Sequence, residues 1–118
     1  MFSLHAQQRY YLYSEPTDMR KGFNGLSGIV RNELKQDPLS GAVFLFVNRK
    51  RDRMKLLVWE RGGFVLYYKL LEQGTFQLPK GPGDYYQLSW HDLMLILEGV
   101  VLESVKKRKR YRLSKSEK

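Results

Sequence analysis

Arg49, Lys50, Arg51, Arg53 and Lys55 crowd five cations against Asp52 alone into seven residues, a local net charge of +4. A second run is denser still. Lys106, Lys107, Arg108, Lys109, Arg110, Arg112, Lys115 and Lys118 set eight cations against Glu117 in the last 13 residues. The chemistry such runs perform is neutralisation of a polyanion: cations that displace the counterions condensed on nucleic-acid phosphates give contacts that are blind to sequence and weaken steeply with salt. The first run lies between two strand-like segments, so its charges project from a hairpin connection and can position phosphates. The second repels itself and offers almost nothing apolar to bury, which predicts a solvated arm. Plainer readings exist for both. A charged turn keeps a sheet edge from aggregating, a basic tail solubilises, and an anionic membrane or acidic protein attracts the same charge.

Residues that could break or make bonds are few. The imidazoles are His5 and His91, one near the terminus and one beside a helix start, and there is no cysteine. A zinc site would need carboxylates to complete it, and no spacing of the His-x-x-x-His kind occurs. No phosphate-cradling glycine loop, nucleophile elbow or dinucleotide fingerprint is present. Two-metal phosphoryl transfer needs carboxylates converging on ions about 4 Å apart. The acidic residues here are scattered: Asp18 reads as a helix cap, Asp52 as a turn residue, and Glu33, Glu98 and Glu103 as solvated helix faces. The expectation is a chain that is no enzyme, with no catalytic residue, cofactor or metal ligand. Trp59, Phe64, Tyr67, Tyr68 and Phe76 could make a base-stacking platform on an open sheet face. Strand alternation turns about half of such rings into a core instead.

The elements that must carry these residues can be read from periodicity. Arg9 to Ser14 is a tyrosine-rich strand ended by Glu15-Pro16. Met19, Phe23, Leu26, Val30 and Leu34 recur at helical steps, predicting a helix over 18–35 capped by Thr17 or Asp18. Gly22, Gly25 and Gly28 inside it cost about 0.5 to 1 kcal/mol each against alanine. Close passage of a strand against that flank would account for them. Strands follow over 42–48, 55–60 and 64–71, joined by connectors too short for a crossover helix and therefore antiparallel, with Gly62-Gly63 supplying the positive φ of a tight turn. A further strand is expected at Thr75 to Leu78, then a loop over 79–84. Ser89 opens a second helix reaching about Ser104, with Asp92 placed as in a capping box.

The fold class expected is α+β: an antiparallel sheet of about four to five strands with two helices on one face. Residues 1–105, with 13 cations against 11 anions, form one domain, and 106–118 form a basic C-terminal arm. A chain of 118 residues that is 42% hydrophobic and 14% aromatic can fill one modest core. Lack of cysteine excludes a disulfide framework and fits a reducing cytosol. No apolar run approaches the roughly 20 residues of a membrane span, and Met1 to Gln8 is too polar for a signal peptide. A cytoplasmic protein with no membrane partner is the expectation.

Four stretches in order carry a family resemblance: Thr17-Asp18-Met19-Arg20-Lys21-Gly22-Phe23-Asn24-Gly25-Leu26, then Asp37 to Phe46, then Asn48 to Trp59, then Gly63 to Phe76, with a basic end from Leu97 to Tyr111. Over nearly its whole length the chain resembles the small accessory protein encoded by the second open reading frame of insertion sequence 66 elements, often called TnpB and unrelated to the RNA-guided nuclease of that name. Asn24, in place of an acidic residue, and the aromatic Tyr85-Tyr86 depart from the pattern. The resemblance implies a role in moving a bacterial insertion sequence, with strand transfer residing in a separate transposase, and brings with it no catalytic residue. Its natural partners would be DNA and the element's other proteins. A DNA-binding accessory protein, a protein adapter for the transposase complex and a cryptic metal-dependent nuclease subunit all fit that role. The candidate nucleic-acid contacts are Arg49, Lys50, Arg51, Arg53, Lys55, Lys106, Lys107, Arg108, Lys109, Arg110 and Arg112. The oligomeric state is not encoded in any motif.

Overall fold

A run such as Val43-Phe44-Leu45-Phe46-Val47, apolar without alternation, can be a strand only if both of its faces are covered. In the computed structural model, which describes residue 5 and residues 7–97, it is the middle strand of a sheet and all five residues are buried. The elements are β1 (Tyr10–Tyr13), α1 (Phe23–Asn32), β2 (Val43–Val47), β3 (Arg53–Glu60), β4 (Gly63–Leu70) and β5 (Tyr85–Leu88). A second helix, α2, begins at residue 90 and runs through 97. Its expected continuation to Ser104 and the arm over 106–118 lie outside the described residues.

The class is α+β, as expected, with a five-stranded sheet in the order β4-β3-β2-β1-β5. Pairings β2–β3, β3–β4 and β1–β5 are antiparallel. The pair β1–β2 is parallel, Tyr10 opposite Val43 through Tyr13 opposite Phe46, because α1 provides the crossover that parallel neighbours need. The β3–β4 hairpin closes with Glu60 opposite Gly63. Its two central residues are Arg61 at φ 52° and Gly62 at φ 81°, the double positive φ of a type I′ turn, one position earlier than the Gly62-Gly63 expected.

The helices lie on opposite faces of this sheet, which corrects the expectation of a single covered face. Tyr10, Leu12, Val43, Leu45, Val47, Met54, Leu56, Val58 and Leu88 pack with Phe76 and with Leu93 and Ile96 of α2. The alternate residues Phe44, Phe46 and Leu57 pack with Leu26 and Val30 of α1 and with Leu34 just beyond it. Strand parity assigns each side chain to one layer or the other.

The edge strand beside β1 is Tyr85–Leu88, and no strand forms at Thr75 to Leu78. Leu88 and Tyr86 face Tyr10 and Leu12 on the α2 side. Phe76 reaches the same core from an irregular segment, its N–H donating to the Arg51 carbonyl at 2.7 Å.

α1 is shorter than its periodicity suggested. Gly22 is the N-cap, and no side-chain cap bond is made among the described residues. Residues 18–21 form a separate turn, with Lys21 N–H donating to the Asp18 carbonyl at 3.1 Å. Past the helix Leu34 N–H donates to the Ile29 carbonyl at 3.1 Å and Gln36 N–H to that of Val30 at 3.0 Å, with Lys35 at φ 55°, a left-handed ending without glycine. The glycines do not mark a close helix-to-sheet contact. A Cβ on Gly22 or Gly28 would meet nothing within 4 Å among the described residues, and what one on Gly25 would meet first is the Lys21 side chain, at 3.1 Å. At the start of α2, Asp92 N–H donates to Ser89 Oγ at 3.0 Å, the expected cap.

Candidate functional site

Asn48 follows β2 and its side chain organises the cationic turn. Asn48 Oδ1 accepts from the N–H groups of Asp52 and Arg53, both at 3.0 Å, and Asn48 Nδ2 donates to Asp52 Oδ1 at 2.7 Å. The amide thus stands in for a missing stretch of ladder. Downstream chain braces the turn from outside, Leu71 N–H on the Asp52 carbonyl at 2.8 Å and Phe76 N–H on that of Arg51. The result is a pinned finger, and its tip residues Arg49, Lys50 and Arg51 are exposed.

A second segment is brought beside it. Thr17 N–H donates to the Val47 carbonyl at 2.8 Å, tying the chain that follows β1 to the end of β2. This lays the turn over residues 17–20 alongside the finger. Between them opens a groove of about 530 Å³ lined by Thr17, Asp18, Met19, Arg20, Asn48, Arg49, Lys50, Asp52, Arg53 and Tyr68. Four of these are cations and two are carboxylates, and both carboxylates already have partners within the wall. Asp52 is held by Asn48. Asp18 meets Arg20 in a fork, Nη2 to Oδ2 at 2.7 Å and Nε to Oδ1 and Oδ2 at 3.1 and 3.0 Å, while Arg20 N–H reaches Oδ1 at 2.9 Å. Arg20's hydrogen bonds, more than its charge, push the Asp18 carboxyl down to about 2. Arg53 Nη1 donates to the Tyr68 hydroxyl at 3.0 Å.

The candidate cations among the described residues divide in three. Arg49, Lys50 and Arg53 line the groove. Arg51, at φ 59°, turns to another concavity of about 320 Å³ shared with Ser14, Leu78, Pro79, Lys80, Gly81, Gly83 and Tyr86. Gly81 lies so tightly on the Tyr86 ring that an added Cβ would clash with it. Lys55 corrects the expectation of a solvent-facing contact. It is 6% exposed, and Nζ donates to the carbonyls of Met19 and Lys21 at 2.7 and 2.8 Å. Its ammonium holds the neighbouring turn in place. Lys106, Lys107, Arg108, Lys109, Arg110 and Arg112 lie outside the described residues.

Arg20 was not among the cations singled out from sequence, because with Lys21 it makes only a pair, in what read as a helix. Asn48, a polar residue closing an apolar strand just before a cationic turn, was the available sign of the finger's architecture. Of the aromatic set, Phe76 is buried and Phe64 is packed against the α1 side, whereas Tyr68 is exposed at the groove rim. Among the described residues no group of three or more His, Asp or Glu stands close enough to hold a metal ion.

The model of the IS66 Orf2-like protein family matches residues 8–107, a span that contains both walls of the groove. The chain belongs to the IS66 Orf2-like family. This is the family its motifs resemble, and membership ties the chain to the transposition of insertion sequences. Two proteins from Sinorhizobium fredii (strain NBRC 101917 / NGR234) are similar to it, both described as uncharacterized. Protein y4jC is 31% identical over 100 residues, 85% of this chain and 86% of its own. Protein y4hO is 34% identical over 93 residues, 78% and 80% respectively. No solved structure matches this member of the IS66 Orf2-like family. Among the described residues no helix is long and apolar enough to cross a membrane.

Proposed function

We propose that the chain is a non-catalytic accessory protein of insertion-sequence transposition that holds DNA phosphates in the groove between the 17–20 turn and the 48–53 finger. The observation that carries this reading is the convergence of Arg20, Arg49, Lys50 and Arg53, from segments about 30 positions apart in sequence, on one open concavity whose own carboxylates are internally paired. Cations on a pinned scaffold lose little conformational freedom when phosphates arrive. Residues 106–118 add a second, sequence-blind contact, and Arg51 with Lys80 extends the basic surface around the finger. The element's transposase is the protein partner that this reading expects.

A gel-shift series across salt tests this, using element-end DNA and unrelated DNA of the same length. Arg49→Ala with Lys50→Ala should weaken binding to both DNAs alike and leave the melting temperature unchanged, because phosphate contacts orient without reading bases. Unchanged affinity would remove the groove from the binding surface and favour a protein adapter. Metal-dependent nicking by the pure protein, lost on changing one carboxylate, would overturn the non-catalytic reading.

A further inference from the structure

Tyr68 is 46% exposed on β4, the edge strand, directly across from Lys55 of β3. Two cations fix its ring: the hydroxyl accepts from Arg53 Nη1 at 3.0 Å, and Lys55 Nζ stands over one face, 4.7 Å from the centroid. Its exposure is therefore carried by the opposite face and the edge, at the wall of the groove that also presents Arg20, Arg49 and Lys50. Phe64, on the same strand and face, is instead stacked against Phe23 of α1, 6.3 Å between centroids. Tyr68 lies past the reach of that helix.

An immobilised ring with one face open, next to a row of phosphate-binding cations, is what a nucleobase needs for stacking. Bases inside a duplex already stack on each other and cannot reach it; an unpaired base can. We propose that the groove takes an unpaired stretch of DNA, its phosphates on Arg49, Lys50 and Arg20 and one base stacked on the open face of Tyr68. The inference rests on the proposed function and names the strand state that the same groove prefers. A second copy of the chain is a poorer occupant of this rim, since it would bring four groove cations against the same four.

The test is a set of anisotropy titrations of labelled oligothymidylate and of a hairpin duplex of matched phosphate number, with the parent chain, Tyr68→Ala and Tyr68→Phe. Tyr68→Ala should weaken single-strand binding by about 5- to 150-fold, the range set by loss of one base–aromatic stack, and change duplex binding less than about twofold. Tyr68→Phe should keep the preference, because the ring remains. An oligonucleotide carrying 2-aminopurine in a single-stranded overhang should lose fluorescence on binding the parent and Tyr68→Phe, a readout that needs no destabilising variant. Equal losses on both DNAs, no loss on either, or an unquenched overhang would overturn the inference. So would a dimer of the parent that Tyr68→Ala dissociates with single-strand affinity intact. If Arg49→Ala with Lys50→Ala still weakens both DNAs in those cases, the phosphate groove stands without its stacking plane; if it changes neither, both readings fall.

Discussion

Lys55 Nζ and the carbonyl oxygen of Met19 meet at 2.7 Å beneath the 17–21 turn, and the Lys21 carbonyl completes the pair of acceptors at 2.8 Å. A lysine in the middle of a core strand thereby becomes the fastener of a surface turn. Lys55→Met keeps the length and the apolar stem but leaves two carbonyls without their donor. It should destabilise the fold by about 2 to 4 kcal/mol, since two charge-assisted bonds to part-buried carbonyls are lost together. Urea unfolding of the variant checks this, and a shift under about 0.5 kcal/mol, the range of neutral surface changes, would show the ammonium to be dispensable.

Gly28 supplies a second test, against the expectation that the α1 glycines lie under a strand. It sits inside the helix with open space where a Cβ would go. Gly28→Ala should therefore stabilise by about 0.5 to 1 kcal/mol through reduced backbone entropy of the unfolded chain. A lower midpoint in thermal or urea unfolding would mean that the flank is closed.

The hairpins β2–β3–β4 were legible because their connectors leave no room for anything else. The face each helix covers was less so. Ala42 to Val47 lacks alternation, which is itself the mark of a strand covered on both sides, but the sign has meaning only once the strand is known to be central. Tyr85 to Leu88 and Thr75 to Leu78 have similar strand propensity. The choice went to the segment that could pair with the open edge of β1 while sending Leu88 inward. The role of Lys55 was hidden for the same reason. Charge at the end of a cationic run resembles solvent exposure until the register of β3 places it opposite Tyr68 and under the turn. The cationic cluster of Arg49, Lys50 and Arg53 was visible in composition, whereas Arg20 entered the groove only through the turn that the Thr17–Val47 bond and Lys55 hold in place.

Asp18 should titrate far below an ordinary carboxyl, at about 2, because Arg20 grips its charged form through side chain and backbone. The folded-state value is lower than the unfolded one, so any stability it contributes is present above roughly pH 4 and is lost as pH falls through the folded value. The group lies at the surface, so a carboxyl-resonance NMR titration is the sensitive measurement. Arg20→Ala should return the midpoint toward the usual range, and a midpoint unmoved by that change would dissolve the fork in solution. Asp18→Asn also removes one of the groove's two carboxylates and frees a guanidinium, so DNA binding should tighten, most at low salt.

The arm and the groove should separate in their response to salt. If about five of the cations in 106–118 meet duplex phosphates, the log–log salt slope of the full chain should be about 4 to 5 units steeper than that of a chain ending at Val105. Groove variants such as Arg49→Ala with Lys50→Ala should change the slope by about 2 at most, one for each phosphate no longer neutralised. Truncation removes thirteen residues with almost no apolar side chains, so stability should change by well under about 1 kcal/mol while low-salt affinity falls by about tenfold or more. A truncated chain with the parent's affinity and slope would leave the groove as the DNA contact by itself and assign the arm to a protein partner. A truncated chain that binds no DNA at all would reverse the assignment, since the pinned cations would then be too few to hold phosphates without it.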